Sequence, residues 1–321
     1  MRTLVTGGAG FIGSHLVDRL TADGDDVDVL DDLSTGRMSN LEQQRENARV
    51  RVVEGSILDE PAVENLVSAC DRVFHLAAAV GVAHIVNNPL ASLLVNSRGT
   101  ENVLAAAARH HRRVLIASSS EVYGKTESIP MHEDDDRILG STAVHRWSYA
   151  TAKALDEHLA LAYAREGLRV VIVRYFNIYG PRMDPRGYGS VMANFLQQAS
   201  TGQDVTVYGD GLQRRCFTYV DDCVEGTMRA METEAAESQA FNIGDPTSET
   251  TILDLARLIV DVTGSTSHIS HLTYEQRFGP GFEDTLRRVP AVERAHERLG
   301  WRASVPLSEG LRRTIASLAT G

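Results

Sequence analysis

Residues 3–13 read Thr-Leu-Val-Thr-Gly-Gly-Ala-Gly-Phe-Ile-Gly, a strand-like apolar run that passes through spaced glycines into a helical pattern. Gly7 permits the turn, Gly10 lets the backbone approach a pyrophosphate, and Gly13 allows close helix packing. The first N–H groups of the helix, from Phe11 and Ile12 onward, then face the anion. Asp31 closes the second strand pattern 18 residues beyond Gly13. A carboxylate there accepts hydrogen bonds from an adenosine ribose and repels a 2′-phosphate, so NAD is expected rather than NADP. Asp59, after a further apolar run, is a candidate contact for adenine.

The rest of the first half alternates short apolar runs with helical patterns: Asp26–Asp31, Val50–Val53, Val73–Leu76, a helix through Asn96–His110, and Arg113–Ser118. That rhythm predicts an α/β fold with a doubly wound parallel sheet. An amphipathic pattern over Ser148–Glu166 precedes a buried run at Arg169–Tyr175, after which Gly and Pro become frequent. The expected division is a cofactor domain over 1–176, joined by part of 214–242, and a smaller substrate-binding α/β domain over 177–321.

Composition narrows the class of partner. The net charge of −11 is carried by acids spread along the chain, and no basic stretch follows a nucleic-acid pattern. Cys70, Cys216 and Cys223 have neither CxxC nor Cys/His ligand spacing, so buried thiols are expected, with no disulfide framework and no metal site. No apolar run reaches about 18 residues and no leader-like segment opens the chain, from which a cytoplasmic protein off the membrane is expected.

Of 32 basic residues only Lys125 and Lys153 are lysine. Lys153 follows Tyr149 by four positions on a predicted helix, which puts both side chains on one face. A phenol titrates near 10 in water, and a neighbouring ammonium with a cationic nicotinamide ring is expected to lower it enough to make Tyr149 a general base. Ser118-Ser119-Ser120-Glu121 ends a core strand, where a hydroxyl reaches the same substrate oxygen. His75 reads as a core histidine, and Trp147 as either loop packing or pocket wall.

The runs TGGAGFIGSHL (6–16), HLAA (75–78), SSSEVYG (118–124), YATAK (149–153), RYFNIYGPR (174–182), YGDGLQRRCFTYVDD (208–222) and RLGW (298–301) resemble the extended short-chain dehydrogenase/reductase family. More narrowly they are similar to its NAD-dependent nucleotide-sugar epimerase/dehydratase group. The resemblance spans nearly the whole chain. It implies a Rossmann-type cofactor domain in which Asp32, Leu76, Ala77, Ala78 and Asn96 join the glycines, Asp31, Tyr149 and Lys153 around NAD. It further implies Ser119 as the catalytic hydroxyl, Ser120 and Glu121 beside it, and Asn177, Arg182, Arg215 and Arg288 as contacts of a nucleotide sugar. Arg215 also makes sense alone, because guanidinium pairs bidentately with phosphate. A homodimer built on helices 96–111 and 150–166 is implied as well.

Members of this group begin by oxidising the sugar, usually at C4. A 4,6-dehydratase carries an Asp-Glu pair where this chain has Ser120-Glu121, which argues against dehydration. SEVYG, the loop at 138–148 and the segment Phe282-Glu283-Asp284 to Arg288-Val289-Pro290 look more like enzymes acting on UDP-glucuronic acid. Oxidation of a uronate at C4 makes a β-keto acid, which either loses carbon dioxide or turns over and is reduced from its other face. C4 epimerisation to UDP-galacturonic acid needs the fewest further groups and is the expected reaction. The alternatives are decarboxylation, which Glu121 favours and a loosely matched Arg288 weakens, and then UDP-glucose 4-epimerisation.

Overall fold

The computed structural model describes residues 1–80, 88–184, 190–278 and 283–318; Phe282 lies outside them. The first half carries β1 (Arg2–Thr6), α1 (Phe11–Ala22), β2 (Asp26–Asp31), β3 (Val50–Glu54), α2 (Glu60–Ala69), β4 (Arg72–His75), α3 (Pro89–Arg109), β5 (Arg113–Ser119), α4 (Ser148–Arg165) and β6 (Val170–Tyr175). The second half carries β7 (Ile178–Tyr179), α5 (Val191–Ser200), β8 (Val205–Tyr208), β9 (Arg214–Arg215), β10 (Thr218–Tyr219), α6 (Val220–Glu232), β11 (Ala240–Ile243) and β12 (Thr250–Thr251). It ends with α7 (Ile252–Thr263), β13 (Ile269–Leu272), α8 (Tyr274–Phe278), β14 (Arg287–Arg288), α9 (Glu293–Leu299) and α10 (Leu307–Leu318).

Seven parallel strands form the main sheet in the order β11-β6-β5-β4-β1-β2-β3. Every residue of β4 and β6 is buried, the pattern of strands covered by helices on both faces. The strand order reverses beside β1, and in such sheets ligands lie beyond the carboxyl ends of the strands at that reversal. After residue 176 the chain returns to this sheet. β11 pairs with β6, and α6 packs against α1. Helix α3 begins at Pro89, earlier than the pattern at Asn96 suggests, because proline at the first turn costs no hydrogen bond.

A smaller sheet decides the chemistry of the cleft. β9 lies between antiparallel β12 and parallel β14, in a register that sets Arg214 beside Arg287 and Arg215 beside Arg288. Successive residues of a strand face opposite sides. Arg214 and Arg287 therefore share Glu249 on one side, whereas Arg215 and Arg288 are buried and reach the cleft on the other.

Candidate functional site

A cavity of about 660 Å³ opens where the reversal point predicts it, lined by the glycine loop at one part and by Tyr149, Glu121, Arg215 and Arg288 at another. A Cβ on Gly13 would sit 2.1 Å from the Gly7 carbonyl oxygen, and one on Gly7 would sit 2.7 Å from the Ala77 nitrogen, so the loop packs as closely as its glycines allow. A Cβ on Gly10, in contrast, would meet only the Gly7 oxygen, at 3.1 Å. The start of α1 has no side-chain cap and no acidic residue in its first turn. This is an open, uncompensated helix N-terminus, and a dinucleotide's pyrophosphate fits it.

Asp31 is buried at the rim of the loop, where its carboxylate accepts from the Ala9 and Leu33 backbone N–H groups, each at 2.9 Å. Burial raises its titration point against those bonds. Asp32 is exposed and accepts from Ser34. Gly7, Gly10, Phe11, Ile12, Gly13, Asp31, Asp32, Leu76, Ala77 and Ala78 all line the cavity. Asp59 and Asn96 do not line it. Asp59 caps α2 by accepting from the Ala62 N–H at 3.1 Å. Asn96 is spent on the backbone of Ala79, accepting from its N–H at 2.7 Å and donating to its oxygen at 3.2 Å.

Tyr149 and Lys153 line the cleft together, one turn apart on α4, and the Ser119 hydroxyl hydrogen-bonds the phenol. The expected downward pull on the phenol is absent among the protein's own groups. Burial first, then the Glu121 and Asp156 carboxylates, push Tyr149 well above 10, and Ser119 opposes them only in part. Lys153 Nζ instead lies 3.3 Å from Asp156. His75 is a core histidine, bonded to Thr6 and Thr100. Trp147 is loop packing: it is buried and donates Nε1 to Glu283 at 3.0 Å.

Ser120 and Glu121 enter the cleft on a 3-10 turn directly after β5. Arg288 Nη1 reaches Glu121 Oε1 at 2.9 Å, and Arg146 spans both carboxylate oxygens at 2.7 and 3.0 Å. Burial by itself would raise Glu121, but Arg288 and Arg146 outweigh it and hold the carboxyl well below the ordinary range. Asp284 joins the cluster, 3.1 Å from Arg215 and 3.7 Å from Arg146. Asn177 lines the cleft with its side-chain amide donated to the Cys216 oxygen. Arg182 does not line it; its guanidinium pairs with Asp18 at 2.6 Å.

Arg146 is the residue that reading the sequence missed. It stands three positions before Tyr149, but in a chain whose basic residues are almost all arginine nothing marks it. Among the described residues no group of His, Cys, Asp and Glu is arranged to hold a metal, and no helix is long and apolar enough to cross a membrane.

Residues 3–244 match the family model described as "NAD dependent epimerase/dehydratase family". The chain is 43% identical to a UDP-N-acetyl-alpha-D-glucosaminuronate decarboxylase of Bacillus cytotoxicus, over 98% of this chain and 96% of that protein. It is 39% identical to UDP-glucuronic acid decarboxylase 1 of Danio rerio, over 98% and 72%. Among solved structures, the UDP-glucose 4-epimerase of Thermotoga maritima superposes with a TM-score of 0.90 at 34% identity, covering 100% and 99% of the two chains. The fold is thus shared with an epimerase and cannot choose the reaction. Full-length similarity to uronate decarboxylases overturns the expectation of C4 epimerisation to UDP-galacturonic acid.

Proposed function

Because the chain belongs to the NAD dependent epimerase/dehydratase family, with NAD as its cofactor, we propose that it decarboxylates a UDP-linked hexuronate, UDP-glucuronic acid or its 2-acetamido counterpart. The observation that carries this reading is the 2.9 Å contact between Glu121 and Arg288, beside Ser119 and Tyr149 in one cleft. Glu121 and Arg288 stand 167 residues apart in the chain, and the fold brings them together.

NAD held by the glycine loop beside Asp31 would supply the acceptor for the hydrogen of sugar C4 with its electron pair, and could return it to C4 to give the pentose. Tyr149 accepts the proton of the C4 hydroxyl, with Ser119 donating to the same oxygen, and a ketone β to the C6 carboxylate results. The C5–C6 bond then breaks. Its electron pair moves toward the C4 oxygen, carbon dioxide leaves, the Tyr149 and Ser119 hydroxyls hold the enolate, and C5 takes a proton from water to give the 4-keto pentose. Arg146 and Arg288 pair with Glu121, and Asp284 is shared by Arg146 and Arg215, so three arginines face two carboxylates. The charge left over favours entry of the anionic nucleotide sugar. No rotation of the keto sugar is required.

In this reading residues 1–176 with the returning α6 and β11 hold the cofactor, and most of the remainder grips the nucleotide sugar, with Arg215 on the diphosphate and Asn177 beside it. Two copies associate through α3 and α4, which pack side by side and leave Leu90, Leu93, Leu155 and Leu161 exposed. The test is incubation of the purified protein with each uronate while proton NMR follows the sugar and gas release is recorded. Carbon dioxide with a UDP-pentose, its 4-keto form or the 2-acetamido equivalent is expected. Turnover of neither uronate refutes the substrate class.

A further inference from the structure

Beneath the cleft lies a set of polar side chains that the chemistry above does not use. Asp156 on α4 is 1% exposed, and its Oδ2 lies 3.3 Å from Lys153 Nζ. The Thr100 hydroxyl of α3 faces the same carboxylate, and Thr100 bonds His75 Nε2 of β4 at 3.0 Å. On its other side His75 Nδ1 meets Thr6 of β1 at 2.7 Å, and Thr6 accepts the N–H of Ala77 at 3.2 Å. Ala77 lines the cofactor cleft, so the set begins and ends at that cleft.

A buried carboxylate is costly unless matched, and this one is matched only on one side: among the described residues Asp156 Oδ1 has no hydrogen-bond partner of good geometry. Stability explains an acid here as the counter-charge of buried Lys153. Its placement against Lys153 also gives a functional reason, because the ammonium turned toward Asp156 is a positive charge partly withdrawn from Tyr149.

We propose that Asp156 is a positioning residue for Lys153, pinning the ammonium below the cleft and moderating the positive charge that Tyr149 feels. The inference rests on the redox step of the reading above and is indifferent to whether decarboxylation follows it. The Thr100–His75–Thr6 set does not relay protons, since it ends at the backbone amide of Ala77, which cannot pass one on. The charged groups that act on Tyr149 are Glu121 from the turn after β5 and Asp156 from its own helix, with neutral Ser119 opposing them; Lys153 stands one turn on along the same helix. Around Asp156 stand Lys153 and Glu157, with the neutral Thr100 opposite. Asp156 adds to the upward pressure on the phenol, so its neutralisation must lower the pH at which Tyr149 becomes a base.

The chain offers its own probe, because Lys125 and Lys153 are its only lysines. NAD-loaded protein grown on lysine labelled with carbon-13 at Cε gives one signal from exposed Lys125 and one from buried Lys153. In Asp156→Asn the Lys153 signal is expected to move while that of Lys125 stays. The acid limb of kcat/KM on the uronate is expected to shift to lower pH by about one unit, a tenfold change in phenolate fraction, and Asp156→Glu is expected to restore it. An unmoved Lys153 signal, or a limb that stays or shifts upward, overturns the proposal. Asp156→Ser is read in the same way if the asparagine variant fails to fold. If the wild-type protein turns over neither uronate, the decarboxylase reading falls, and the lysine signals still decide the role of Asp156.

Discussion

Arg287 and Arg288 are neighbours of identical chemistry on a two-residue strand, and the cleft geometry predicts opposite consequences of losing them. In Arg288→Met the cleft loses a guanidinium that is 3% exposed and lies 2.9 Å from Glu121. Breaking a buried ion pair costs about 3–5 kcal/mol when the remaining charge is stranded. Glu121 keeps Arg146 at 2.7 and 3.0 Å, so roughly half of that, about 2 kcal/mol, is expected here. Loss of one preorganised charge at a reacting centre lowers kcat by roughly 100- to 1000-fold. In Arg287→Met the lost side chain is 49% exposed, and its partner Glu249 keeps Arg214 at 2.7 Å. Exposed pairs contribute about 0–1 kcal/mol, so stability and turnover are expected to stay near wild type. Urea denaturation and carbon dioxide release from UDP-glucuronic acid, or from its 2-acetamido counterpart if that is the one turned over, measure the two quantities on both variants. Equal losses in the pair, or an Arg288→Met enzyme working within about threefold of wild type, where roughly 100-fold is due, would refute the assignment of Arg288 to the cleft chemistry.

Three further outcomes follow from the same geometry. Gly13→Ala puts a Cβ 2.1 Å from the Gly7 oxygen, where only backbone can yield; overpacking of this kind costs about 1–3 kcal/mol, so NAD affinity is expected to fall roughly tenfold or more, read by calorimetric titration. Burial, and after it Lys153, hold His75 down at about 3, below its usual 6.5. A depressed folded value means that the stability from a neutral ring is complete above 6.5 and drains as pH falls toward 3. Wild type is expected to lose about 2 kcal/mol between pH 6.5 and 5 at 1.36 kcal/mol per unit, and His75→Gln to lose that dependence, both followed by urea midpoints. Glu157 holds Arg174 at 2.6 and 2.9 Å with both side chains under 10% exposed, so Glu157→Gln is expected to destabilise the fold by about 3 kcal/mol, measured by the same denaturation.

Relations between near neighbours in the chain were legible in the sequence. The strand-glycine-helix turn, the carboxylate ending β2, the Tyr149/Lys153 spacing and the strand rhythm each depend on a few consecutive residues, where backbone sterics and helical or pleated periodicity act directly. They were enough for the sheet and the cofactor. The charged groups around Glu121 were legible only as candidates. Glu121, Arg146 and Arg288 come from a turn, a loop and a distant edge strand, and their meeting depends on how β14 registers against β9. The same holds for Arg182 and Asn96, which sit in matching motifs while their side chains pair with Asp18 and with the Ala79 backbone. A charge acts on whatever lies within a few ångströms, whatever its distance along the chain, so tertiary structure alone determined which arginines hold Glu121.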